Sequence, residues 1–211
     1  METVLFDLDG TLTDSGEGII KSADIALKHF NIHATQEQLK VFVGPPLIET
    51  FKMFGIQESS LDEAVKLFRK RYLTVGKFEN HPYQGIENVL RTLKEKNYNL
   101  FVATSKPEKI AIEILDHYEL SPYFTKICGA TMDEKRSSKD DVISYLKTHV
   151  DTDKMLMIGD TIYDVLGANV HSIPTIGVSW GYGNPKEMKK AGAITIVHTP
   201  EELLDEIISF K

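Results

Sequence analysis

Two aspartates one residue apart, Asp7 and Asp9, follow the apolar run Val4-Leu5-Phe6 and precede the turn formers Gly10 and Thr11. In a strand, side chains at i and i+2 point to the same side, and this strand must end near Asp7 because glycine and threonine favour a turn. Both carboxylates are therefore expected to crowd one small space at a strand's carboxyl end. Neighbouring carboxylates repel, and the usual remedies are a bound cation or a raised pKa on one of them. A hard cation that takes oxygen ligands, such as Mg²⁺, suits the pair. The bland alternative is an ordinary Asp-Gly turn in which Asp7 only caps, and Asp-x-Asp by itself does not separate the two.

Other reactive residues fall at comparable places. Thr104-Ser105-Lys106 follows an apolar run, Gly159-Asp160-Thr161-Ile162-Tyr163-Asp164 follows another, and Arg136-Ser137-Ser138-Lys139 opens a helix between them. Gathered at one edge, these residues supply a nucleophile-grade carboxylate, further acids, a hydroxyl and a cation. That inventory matches phosphoryl transfer through an aspartyl phosphate. A phosphate dianion and an attacking carboxylate repel, so the reaction needs positive charge from Mg²⁺ and a lysine. Hydroxyls and helix N-termini can take the remaining phosphate oxygens.

The elements that must position these groups can be read from periodicity. Apolar runs at 99–104, 126–129, 155–158, 175–178 and 194–197 read as strands, and helical stripes alternate with them. Pro107 suits the first turn of a helix, a further helix spans about 138–149, and Thr199 with Glu202 caps the last one. Alternation of continuous apolar strands with helices predicts a doubly wound parallel sheet, a Rossmann-like α/β core covered on both faces. Ligands of such sheets bind outside the carboxyl ends of the strands. Residues 16–80 read instead as a wholly helical block. Capping pairs Thr35/Gln38 and Ser60/Glu63 open helices there, and Gly44-Pro45-Pro46 separates a helix at 47–54, with Gly55 suited to follow it. The expected organisation is a core of 1–15 and 81–211 with a helical domain, 16–80, inserted after the first strand.

Composition restricts the partners. The formal net charge of −7 argues against a nucleic-acid backbone, and no apolar run reaches membrane-spanning length. With no signal-peptide layout at the N-terminus, the expected location is the cytoplasm. The single cysteine, Cys128, sits in an apolar setting and reads as a buried core residue. None of the histidines is singled out; His29, His81 and His149 are expected on surfaces or turns.

With these motifs in place, the chain resembles the haloacid dehalogenase superfamily of phosphatases with an inserted α-helical cap. Asp7-Leu8-Asp9-Gly10-Thr11-Leu12 looks like the first motif, Thr104 like the second, Lys139 in Lys139-Asp140-Asp141 like the third, and Gly159-Asp160 to Asp164 like the fourth. The resemblance implies that Asp7 attacks phosphorus and that Asp9 protonates the leaving alcohol and then activates water. It also implies that Asp7, Asp160 and the Asp9 backbone carbonyl hold Mg²⁺, with Asp164 ligating or supporting the metal, and that Thr104, Ser105 and Lys139 receive the phosphate. Asp9 disfavours the dehalogenase branch.

Several assignments stay open at this stage. Thr104 could serve only the backbone at a strand end, Arg136 competes with Lys139 for the phosphate, and Lys106 is a third candidate cation that reads rather as a solvent-exposed or substrate-rim residue. Asp164 could be a dipole-favoured acid with a basic neighbour. In the cap, Gly44 and Pro45 form the candidate specificity segment, with a plain turn as the alternative. The layout looks like the phosphoglycolate phosphatase and 5′-nucleotidase group, and Val43-Gly44-Pro45-Pro46-Leu47 with Trp180-Gly181-Tyr182-Gly183 lean it towards nucleotidases. The expected partner is a small phosphorylated metabolite, and the expected assembly a monomer or weak homodimer. A phosphomutase similar to β-phosphoglucomutase and a phospho-acceptor signalling module are the rival readings.

Overall fold

The computed structural model describes residues 3–133, 135–152 and 154–210 of the chain. The core sheet has six parallel strands: β1 (Thr3–Phe6), β4 (Asn99–Pro107), β5 (Lys126–Ala130), β6 (Met155–Gly159), β7 (Thr175–Val178) and β8 (Thr195–Val197). Their spatial order is β5-β4-β1-β6-β7-β8. The chain therefore builds outward from β1 through β4 to β5, then returns to the other side of β1 with β6. That reversal places the crevice of an open α/β sheet at the carboxyl end of β1. Register is in step around it, with Phe6 opposite both Val102 and Ile158.

The strands are apolar on both faces because both are covered. Leu5, Phe101, Ala103, Met155 and Met157 pack with Val142, Ile143 and Leu146 of α7 (Lys139–Lys147) and Ala168 of α8 (Ile162–Val170). Strand alternation sends Val4, Phe6, Val102 and Ile158 to the opposite face, where they too are buried. Helices α5 (Ile86–Glu95), α6 (Glu108–His117), α9 (Pro185–Ala191) and α10 (Pro200–Ser209) complete the layers. Cys128 is fully buried, and burial pushes its thiol up to about 11. His29, His81 and His149 are exposed.

The chain divides into two compact units, one of Met1–Thr13 with Pro82–Lys211 and one of Asp14–His81. The short strands β2 (Thr13–Asp14) and β3 (His81–Pro82) lie at the two crossings. The second unit is helical: α1 (Gly16–His29), α2 (Gln36–Leu39), α3 (Leu47–Met53) and α4 (Leu61–Tyr72), with 3₁₀ turns between. Its backbone is tightly drawn at Gly18, where an added Cβ would meet the Gly76 carbonyl oxygen. Arg71 grips Glu79 with two hydrogen bonds, of 2.7 and 2.9 Å, and holds that carboxyl below its usual range.

Local expectations are corrected at two places. Thr35 and Gln38 form the full capping box, but Ser60 makes no capping hydrogen bond. A 3₁₀ turn, Glu58–Ser60, runs straight into α4, so Ser60 has φ −111° and ψ −3° rather than the extended backbone that a cap requires. Pro107 ends β4 and precedes α6 instead of lying in its first turn.

Candidate active site

The Asp7 N–H donates to the Ile158 carbonyl at 2.9 Å, carrying the β1–β6 ladder one residue past the strand. The chain then turns sharply. Leu8 O accepts from Leu12 N and Thr13 N, and Gly10 sits at φ +81°. A Cβ on Gly10 would come within 2.2 Å of Asp160 Oδ2, so the turn reaches the end of β6 only because that residue is glycine. Thr11 Oγ1 donates to Asp160 Oδ1 at 3.3 Å.

The next residues are placed by helix starts. Asp164 lies in the first turn of α8, where its Oδ2 accepts from Thr161 N at 2.9 Å and Thr161 Oγ1 at 2.8 Å. Lys139 is the first residue of α7, behind the capping pair Ser138/Asp141. Its ammonium is buried among three acceptors: Asp7 Oδ1 at 2.8 Å, Asp164 Oδ1 at 2.7 Å and Ala103 O at 2.8 Å. Arg136 turns elsewhere, to Glu108, the Gly129 carbonyl and the Tyr145 ring.

One oxygen from each of Asp7, Asp160 and Asp164 lies within 4.8 Å of the others. Burial, aided by the charge of Asp164, raises Asp7 to about 6 against the pull of Lys139. Burial also lifts Asp160 well above its ordinary value, Asp164 and Asp7 adding to the shift while the Tyr182 N–H opposes it. For Lys139, burial works against the charge, yet Asp164 and Asp7 outweigh it and hold the ammonium above the usual lysine range. Of these three buried carboxylates, Asp7 and Asp164 pair directly with the Lys139 ammonium. A small hard cation with a preference for carboxylate oxygens fits this donor set, and Mg²⁺ belongs to that class.

Asp9 faces another way. Its Oδ2 lies 2.7 Å from Lys106 Nζ, and its side chain is not among the three gathered carboxylates. Lys106 is therefore buried and paired, which corrects the expectation of a solvent-exposed residue. Lys106 lies on the same side of the chain as buried Thr104, two residues earlier, with exposed Ser105 between them; along this stretch the β4–β5 register shifts, Ala103 pairing with Cys128 and Pro107 with Ala130. Thr104 is buried, and its Oγ1 accepts from Lys106 N at 3.2 Å; Ser105 points to solvent.

The loop after β7 closes over Asp160. Tyr182 N donates to Asp160 Oδ2 at 2.8 Å, and Trp180 Nε1 donates to Thr11 O at 3.1 Å. A Cβ on Gly181 would lie 2.3 Å from Asp160 Oδ2 and 2.4 Å from Gly10 O. In the helical unit, Gly44 takes φ +109° and is exposed, Pro45 is half-buried, and α3 follows with seven residues.

A buried nucleophile candidate, a lysine bridge and acids at the ends of adjacent parallel strands invite comparison with known proteins. A sequence model described as haloacid dehalogenase-like hydrolase matches residues 4–178. The chain belongs to this family. Among haloacid dehalogenase-like hydrolases it is a phosphatase. A 5′-nucleotidase of Pseudomonas aeruginosa is 38% identical, over 88% of this chain and 86% of that protein. Tyrosine-protein kinase PtkA of Mycobacterium tuberculosis is 37% identical, over 98% of this chain and 72% of that protein. The crystal structure of a predicted phosphatase from Clostridium acetobutylicum superposes with a TM-score of 0.93 at 43% identity, covering 99% of each chain.

In this haloacid dehalogenase-like phosphatase, Asp7, Asp160, Asp164 and Lys139 share one cluster, and Thr104, Asp9 and Lys106 share the adjoining one. Sequence reasoning missed the approach of Thr11, Gly181 and the Tyr182 amide to Asp160 and the pairing of Lys106 with Asp9. Only the repeated glycines of Gly181-Tyr182-Gly183 signalled a close backbone approach, and no spacing rule linked them to Asp160.

Proposed function

We propose that this phosphatase hydrolyses small phosphate monoesters, nucleoside 5′-monophosphates first and phosphoglycolate next, through an aspartyl phosphate on Asp7 and with Mg²⁺. The observation that carries the reading is the Lys139 ammonium set between Asp7 and Asp164, beside buried Asp160. Asp7 attacks phosphorus from a position that Lys139 fixes. Asp9 gives a proton to the leaving alcohol and later takes one from water, while Thr104 and Lys139 receive phosphate oxygens. Mg²⁺ held by Asp7, Asp160 and Asp164, with the Asp9 carbonyl, would supply positive charge to the transferring phosphoryl group. The 5′-nucleotidase relative supports the substrate class. A cytoplasmic enzyme working as a monomer or weak homodimer is the accompanying proposal; among the described residues no helix is long and apolar enough to cross a membrane.

The test is phosphate release from nucleoside monophosphates, phosphoglycolate and p-nitrophenyl phosphate, with Mg²⁺ or EDTA, by wild type and Asp7→Asn. Metal-dependent turnover lost in the variant is the expected result. A wild type inert on every ester, or a fully active Asp7→Asn, overturns it. The kinase relative favours one second reading, transfer of the phosphoryl group to a tyrosyl hydroxyl in place of water. Label passing from ATP to a tyrosine peptide, without phosphate release, would select that reading.

A further inference from the structure

Asp9 has two unequal oxygens. Oδ2 is held by the Lys106 ammonium at 2.7 Å, whereas Oδ1 is buried and, among the described residues, has no hydrogen-bond partner. Lys106 in turn is seated by its own backbone, since its N–H donates to Thr104 Oγ1, and its side chain is buried at the strand's carboxyl end. A lysine side chain is long, flexible and costly to bury without a role or a partner. Here its charge meets Oδ2 of Asp9.

We infer that Lys106 is a positioning residue that pins Oδ2 of Asp9 and thereby assigns proton transfer to Oδ1. The inference rests on the acid–base role proposed above for Asp9. As the bond from Asp7 to phosphorus forms and the ester P–O bond breaks, the electron pair of that bond stays on the alcohol oxygen, which receives the proton from Oδ1. In the return step the Oδ1 carboxylate oxygen takes a proton from water as the water oxygen bonds to phosphorus and the Asp7–phosphorus bond breaks. Proton and electrons then balance over the cycle, and Lys106 neither gains nor loses a proton. A carboxylate free to rotate would present either oxygen and lose the alignment that proton transfer needs.

The readout is dependence on the leaving group. Because kcat/KM reports steps up to formation of the aspartyl phosphate, an alkyl phosphate with a poor leaving group needs the proton at that stage and p-nitrophenyl phosphate does not. Lys106→Met should lower kcat/KM for the alkyl ester by about tenfold more than for p-nitrophenyl phosphate, a part of the roughly 10²–10⁴-fold that general acid catalysis contributes. In an Asp9→Asn background the same change should add little, since the group being positioned is gone. Lys106→Gln is measured beside it as a second, shorter neutral variant, with thermal unfolding of each. Equal losses on both esters, or full additivity with Asp9→Asn, would overturn the positioning role even where the wild type is an active phosphatase. A wild type without phosphatase activity would sink the parent proposal instead.

Discussion

Lys139 Nζ lies 2.8 Å from Asp7 Oδ1, a contact between the first residue of one helix and a strand end 132 positions earlier in the chain. The same ammonium reaches Asp164, so one side chain offsets the charge of two buried carboxylates. Removing one partner of a buried ion pair typically costs about 3–5 kcal/mol, because the remaining charge is left uncompensated. Lys139→Met should therefore unfold at a clearly lower temperature than wild type near neutral pH and lose activity by about 10²-fold or more. Unchanged melting and turnover would contradict this account.

Metal-free stability should respond to pH through Asp7. Its carboxyl rises from 3.8 to about 6 in the folded state, chiefly through burial. Between those values the native state keeps a proton that the unfolded chain has lost, so this group's contribution to stability falls as pH rises through that window. Added Mg²⁺ should raise the melting temperature more at about pH 7 than at about pH 5, because ligands must be deprotonated to bind a cation. Calorimetry with Mg²⁺ and with EDTA at both pH values checks the sign, and equal shifts at both would refute it.

Gly181→Ala is expected to damage both activity and stability. Its Cβ would stand 2.3 Å from Asp160 Oδ2, 2.5 Å from Asp160 Cβ and 2.4 Å from the Gly10 carbonyl oxygen, and the last two cannot swing aside without moving backbone. Overpacking of this kind costs about 1–3 kcal/mol. Melting temperature and phosphate release report the two effects separately, and a variant indistinguishable from wild type would show that the loop relaxes freely.

Cys128 should be inert in the folded protein. With the thiol pushed up to about 11 and fully buried, little thiolate exists at neutral pH. Iodoacetamide followed by mass measurement should leave native protein unmodified and alkylate it in denaturant. Rapid native labelling with loss of activity would point to an exposed thiol.

The two threonine and serine candidates for helix caps should behave differently. Thr35→Ala removes a hydroxyl that accepts from Gln38 N and should cost roughly 0.5–2 kcal/mol. Ser60→Ala removes no capping bond and should be close to neutral. Denaturant titrations of both variants distinguish the two sites, and equal losses would contradict the geometry.

What could be read from the amino-acid sequence was local or periodic. Asp7 and Asp9 on a turn after an apolar run, Asp160 and Asp164 across a helix start, and Lys139 behind Ser138 each show a short-range pattern. The alternation of apolar strands with helical stripes, set by burial on both faces, carried the parallel sheet with them. Strand endings then pointed to one edge, because parallel strands all present their carboxyl ends there.

Tertiary structure alone decided how those endings meet. Lys106 is a buried partner of Asp9, a contact between the ends of two neighbouring strands that no local pattern around either residue encodes. The order of motifs favoured Lys139 over Arg136 as the phosphate cation near that helix start, and packing sends Arg136 to Glu108 and Lys139 to Asp7. Thr11 reaches Asp160 across 149 residues, and Gly181 leaves room for the same carboxylate. Ser60 had the residue pattern of a cap without its backbone, because the preceding 3₁₀ turn had already fixed the dihedral angles. Short-range patterns specify which groups are available at each strand end, whereas the approach of distant backbones specifies which of them touch.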